Sequence, residues 1–266
     1  MVTRFPEGPS TTLPWFTRFP IGYRRSGHWL DGLPLEAFEK GCAPSYDGYD
    51  VYANNFYEWT GPTVASALPG TGGWAVGQTG TAAVDVSDSQ TGGALRVATS
   101  AVDNDITTVE LNGSGFKFVK GKEAWFGIRM ATDATAADGE LFFGLGIEAA
   151  VSTSPITTNP TDGLFFEKSE TATAMDFHAR KNSLSSESTA LDTTALAANV
   201  FHIYGFYIDT DGKIHIIYDN TEVASVAAGN ANIPDDEDLT IFFSNQTGAA
   251  AASVLFVDWV FAAFQR

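Results

Sequence analysis

Cysteine is all but missing: Cys42 stands alone in 266 residues. No intrachain disulfide can form, and one subunit cannot build a thiolate metal cluster, so stability must come from packing. Cations are scarce too. Fifteen Lys and Arg stand against 32 Asp and Glu, for a net charge of −17. That balance excludes nucleic-acid binding through phosphates, which needs a cationic surplus, and speaks against anionic membranes. Long apolar runs are absent. No window approaches a membrane span, and the start MVTRFPEGPS holds no stretch of signal-peptide length, so synthesis and assembly in a cytoplasm are expected. Nor is there a phosphate-cradling GxxxxGK[ST], a GxGxxG between strand and helix, an HExxH or a GxSxG.

Apolar residues, at 44% with 20 Phe among them, are plentiful enough to fold most of the chain. After Gly93 they come in short runs at regular intervals: ALRVATS, TTVELNG, EAWFGIRMAT, ELFFGLGIEA, DGLFFEKSE, AMDFHARKN, VFHIYGFYI, KIHIIYDN, TEVASVA, LTIFFSN and SVLFVDWVFAAFQR. Asp138-Gly139, Asp162-Gly163 and Asp211-Gly212 punctuate them as turns. Alternation in FHIYGFYI and KIHIIYD gives each strand one core face and one wetter face. No linker carries a helical period long enough for a parallel α/β sheet. The pattern predicts an all-β antiparallel sandwich over residues 61–266, with TAAVDVS a further strand inside the Gly-, Thr- and Ala-rich stretch 61–93.

Residues 1–60 read differently. Pro6, Pro9, Pro14, Pro20 and Pro34 forbid a continuous helix, and only LPLEAFEKG (33–41) suits one short helix. Thr3-Arg4-Phe5-Pro6-Glu7-Gly8 returns as Thr17-Arg18-Phe19-Pro20-Ile21-Gly22. This irregular arm concentrates Phe5, Trp15, Phe16, Phe19, Tyr23 and Trp29 with Arg4, Arg18, Arg24 and Arg25. Exposed aromatics at that density invite aggregation unless covered, so the arm is expected to lie on a surface, either that of its own body or that of a partner subunit.

Candidate chemistry is thin. His202 and His215 are expected to face each other across the FHIYGFYIDTDGKIHIIYD hairpin, but no third metal ligand lies nearby. Glu123, Glu140, Glu148 and Glu167 are separated by turns and read as solvated; without an ExDxxE-type strand no acid pair for sugar hydrolysis is expected. The acidic run Pro234–Asp238 and the trio Asp103, Asn104 and Asp105 read as solvated turns without the spaced ligands of a calcium loop. Neither a catalytic residue nor a cofactor nor a metal site is assigned, and no enzymatic activity is expected.

The TRFPxG start, the short-stranded body with Gly121-Lys122-Glu123-Ala124-Trp125-Phe126 and Asp162-Gly163-Leu164-Phe165-Phe166, and the end IPDDEDLTIFF…VDWVFAAFQR together resemble a family of tailed-phage virion proteins. The likeness covers the first residues and then roughly Leu95 to Arg266; the second TRFP copy and the long aromatic arm depart from it. The resemblance implies a jelly-roll sandwich of the concanavalin A-like or laminin G-like type. It further implies a capsid cement or decoration subunit on the outer surface of the virion, a homotrimer by analogy, bound to the major capsid protein. In that reading Arg4, Phe5, Trp15, Arg18, Phe19, Arg24, Arg25 and Trp29 make the partner contacts. The alternative is a glycan-binding module for host attachment, using exposed loop aromatics such as Tyr57 or Trp74.

Overall fold

The computed structural model describes residues 49–54, 56, 59, 61–63, 73–81, 83–87, 93–113, 115–133, 139–147, 160–170, 172, 174–184, 187–190, 196–248 and 251–265. Among them are fifteen strands and no helix. The first eight in chain order are β1 (Tyr49–Asn54), β2 (Trp74–Gln78), β3 (Ala83–Val86), β4 (Leu95–Ala98), β5 (Ile106–Leu111), β6 (Ala124–Thr132), β7 (Glu140–Ile147) and β8 (Gly163–Lys168). They are followed by β9 (Asp176–Arg180), β10 (Glu187–Ala190), β11 (His202–Ile208), β12 (Ile214–Tyr218), β13 (Thr221–Val226), β14 (Leu239–Gln246) and β15 (Val254–Gln265). The helix expected over 33–41 lies outside the described residues.

The strands form an antiparallel jelly-roll sandwich, as the alternation and turn spacing imply. Sheet I runs β13-β12-β11-β6-β15-β4-β3 and sheet II runs β10-β9-β8-β7-β14-β5-β2. Strand β15 organises sheet I. One of its edges pairs with β6, while the other pairs with β4 at Val254–Val257 and with β1 at Val260–Gln265. Residues 49–54, read from sequence as part of the irregular arm, are thus a strand of the sandwich.

Register brings large rings face to face. Phe126 of β6 lies directly opposite Phe206 of β11 with ring centres 5.4 Å apart, and Phe143 of β7 opposite Phe166 of β8 at 5.3 Å. Such cross-strand aromatic pairs stabilise a sheet by about 0.2–1 kcal/mol each, and burying each ring adds about 1.5–3 kcal/mol. Tyr204 bridges the sheets, packing edge-on against Phe143 and Phe166.

The expected wet outer face is not found on the central strands. In sheet I, Trp125, Trp259, Phe261 and Ala263 alternate with core residues and so point outward, yet all are buried. In sheet II the same holds for Phe142, Phe165 and Phe242, which form an apolar cluster with Ala75 separate from the main core. Alternation misleads here because both rows are occupied by rings and small residues that tolerate burial.

Candidate functional site

On this outer face of sheet II, Glu110 of β5 is buried opposite Phe242 and Ala75, and Arg180 stands at the far end of β9, but the densest group of ionisable side chains lies at one end. In β8, Glu167 stands opposite Phe142 of β7 and Asp176 of β9, while Phe165 stands opposite His178 of β9. Glu140, two residues before Phe142, shares the face diagonally from Glu167. Three carboxyls and one imidazole therefore gather where β7 begins and β8 turns into β9.

The geometry inside the cluster is tight. His178 Nε2 lies 3.0 Å from Glu167 Oε2, with each side chain 12% exposed. The contact is close but not aligned as a hydrogen bond, and among the described residues His178 Nδ1 is buried without a hydrogen-bond partner. The imidazole stacks on Phe165, with centres 5.1 Å apart and planes within 10°. Ser169 Oγ donates to Glu167 Oε1 at 3.3 Å. Burial, and then the charges of Glu167 and Glu170, push the Glu140 carboxyl above its ordinary range, with Lys168 opposing. Lys168 itself is buried and donates to the carbonyls of Gly139 at 2.8 Å and Ser169 at 3.3 Å, tying the start of β7 to the end of β8.

Chemically, the cluster offers carboxylate acceptors, an imidazole fixed by stacking and a carboxyl that protonates early. These suit a polyhydroxylated ligand, whose hydroxyls need acceptors held in place. Among the described residues no group of three or more His, Cys, Asp and Glu is placed to hold a metal ion. The reading of Glu140 and Glu167 as solvated is corrected. Register puts them on one face, and burial removes most of Glu167 from water. Glu123 lies elsewhere, accepting a hydrogen bond from Tyr207 Oη at 2.6 Å, and Glu148 is outside the described residues.

Other expected sites are relocated. His215 faces Tyr207, not His202, across the β11–β12 hairpin. Each histidine has its own acidic partners: His202 Nδ1 lies 2.9 Å from Asp219 Oδ2, and His215 sits 3.1 Å from Asp209 and 3.0 Å from Glu222. Burial raises the Asp209 carboxyl, but hydrogen bonds from His215 and from the Lys213 and Asp211 amides outweigh it and leave it lowered. The acids of the run at 234–238 are exposed, as expected, and two lysines hold the run in place. Lys181 pairs with Asp235 and Asp236, and Lys117 Nζ donates to the Asp236 carbonyl at 3.0 Å. Asp105, by contrast, is buried and accepts from the Ser100 hydroxyl, while Asp103 and Asn104 are exposed as expected. Trp74 is no exposed platform: it is 1% exposed, with its ring 5.5 Å from those of both Phe56 and Phe243. Arg4, Phe5, Trp15, Arg18, Phe19, Arg24, Arg25, Trp29 and Tyr57 lie outside the described residues.

Two crossed-over sheets with an ionisable cluster on one outer face invite comparison with known structures. A protein of unknown function from Shewanella oneidensis superposes with a TM-score of 0.58 at 16% identity, covering 87% of this chain and 94% of that one. An endo-1,3-β-glucanase from Streptomyces sioyaensis follows with a TM-score of 0.55 at 14% identity, covering 84% and 99%. The Emp47p carbohydrate recognition domain gives 0.51 at 13%, covering 83% and 96%. The fold is that of the concanavalin A-like jelly rolls. No protein-family model and no curated protein sequence matches the chain. At these identities the likeness carries the fold alone, and that fold is shared by a glucanase and by a carbohydrate recognition domain.

Proposed function

We propose that the chain is a non-catalytic glycan-binding jelly-roll module of a phage virion, engaging sugar hydroxyls at the Glu140, Glu167, Asp176 and His178 end of sheet II. The gathering of these four groups beside the Phe165 ring is the observation that carries the reading. Sharing a fold with carbohydrate-active proteins supports it. Binding without hydrolysis is favoured because the middle of the same face is closed. Phe142, Phe165 and Phe242 are at most 2% exposed, whereas cleaving a polysaccharide needs an open cleft in which two carboxyls flank the scissile bond. A glycan array probed with the wild type and with E167Q tests this: specific hits that disappear in the variant support it. An array with no hits refutes it.

A second reading, a capsid cement subunit bound as a trimer to the major capsid protein, is supported by the TRFPxG start and the body's resemblance to tailed-phage virion proteins. Thirty residues, if laid out along a neighbour, can supply the roughly 1,000 Å² that a specific interface needs, and the arginines among them can pair with carboxylates of that neighbour. Co-sedimentation with shells lacking the protein tests it. Saturable binding lost on changing Arg4, Phe5, Arg18 and Phe19 to alanine is the expected result, and binding that survives the change counts against the arm.

A further inference from the structure

At the other end of β9, away from the Glu167 cluster, a pocket of about 440 Å³ opens among the loops that close the sandwich. Its floor is apolar, made by Phe118, Ile208 and Ile233. Its rim holds Lys120 and Lys122 from the β5–β6 connection, Lys181 after β9, Asp211 from the β11–β12 turn, and Asn230 and Asp235 from the β13–β14 connection. In a chain of net charge −17, a lining with three lysines against two aspartates is a local reversal of sign.

The walls are fixed by tight turns. The Lys122 amide donates to the Val119 carbonyl at 3.0 Å, and Gly121, with φ +84°, occupies the third position of that turn, where a type II geometry demands a positive φ. This sets Lys120 and Lys122 on one rigid corner. Gly229, with φ +75°, plays the same part in the turn from Ala227 to Asn230. On the third wall Asp209 Oδ1 accepts from the amides of Asp211 and Lys213, each at 2.9 Å, holding the hairpin tip. Lys181 is tied to Asp235 and Asp236, which closes the rim on its side.

We propose that this pocket is a second ligand site, independent of the outer face of sheet II, and that it takes the carboxylate-bearing ring of an acidic saccharide. With Lys181 already matched by Asp235 and Asp236, Lys120 and Lys122 against Asp211 leave one positive charge in the lining to match a monoanion. A phosphate dianion would meet Asp211 and Asp235 with little gain over a carboxylate. The apolar floor accepts the C–H face of a pyranose, Asp211 and Asn230 can accept hydroxyl protons, and Lys120 and Lys122 bind the carboxylate through charge-assisted hydrogen bonds. A volume of about 440 Å³ lies within the range of small-molecule sites.

The test is calorimetric titration of the full chain with digalacturonic acid and with N-acetylneuraminic acid, against neutral digalactose and inorganic phosphate. At least one acidic sugar should bind saturably, digalactose should not, and phosphate should not displace the bound sugar at equal concentration. K120A/K122A should weaken binding by about tenfold or more, with K120Q/K122Q behaving alike, while the melting temperature stays put. E140Q/E167Q, which reports on sheet II, should bind as the wild type does. Binding of neither acidic sugar, equal binding of digalactose, displacement by phosphate, or unchanged affinity in both lysine variants would overturn the proposal.

Discussion

The guanidinium of Arg129 donates a hydrogen bond to the carboxylate of Asp258, the residue at which β15 slips register against β6. Asp258 is 4% exposed, and the same guanidinium lies over the Phe201 ring at 4.4 Å. The bulge thus sets a buried acid where a cation can reach it. D258A leaves Arg129 without this partner and should cost about 2–3 kcal/mol in urea denaturation, less than for a fully buried pair because Arg129 is half-exposed. D258N should cost less.

The buried outer row of sheet II behaves as a second core. F165A should therefore destabilise the chain by about 3–5 kcal/mol, comparable to F166A on the inner face. A loss below about 1 kcal/mol in F165A would mean that the row is open to ligand.

Glu140 gives a pH signature. Its carboxyl titrates above its ordinary value of 4.5, chiefly through burial and then through Glu167 and Glu170. The folded state therefore holds this proton more tightly than the unfolded chain does. Its contribution to stability is present below pH 4.5 and is lost as pH rises through the folded value. E140Q should melt higher than the wild type at pH 7, with the gap closing as pH falls below about 4.5. A gap that is constant with pH would contradict the burial of this group.

Much of the sandwich was legible because its strands advertise themselves: runs such as EAWFGIRMAT and LTIFFSN coincide with β6 and β14, and Asp211-Gly212 does mark a hairpin. Strand β1 was hidden because YDVYAN follows a proline- and glycine-rich stretch and becomes regular only through pairing with β15, some two hundred residues downstream. The Glu167 cluster was missed for a related reason. Its members are scattered along the chain, and only the register of β7, β8 and β9 makes them neighbours. A signal was present in the hairpin itself, since Glu167 and Asp176 flank the connection equally, with Phe165 and His178 one same-face step further out. The histidine pair was misjudged because the turn at Asp211-Gly212 places His215 level with Tyr207, five residues beyond His202.

The most direct test of glycan recognition without hydrolysis is to titrate the full chain with the strongest glycan-array hit while assaying the same samples for new reducing ends, in the wild type, E140Q and E167Q. Saturable binding by the wild type, weakened in both variants, with no reducing ends released by any of the three, is the expected result. Release of reducing ends that stops when either carboxylate is changed would contradict it and make the chain a glycoside hydrolase.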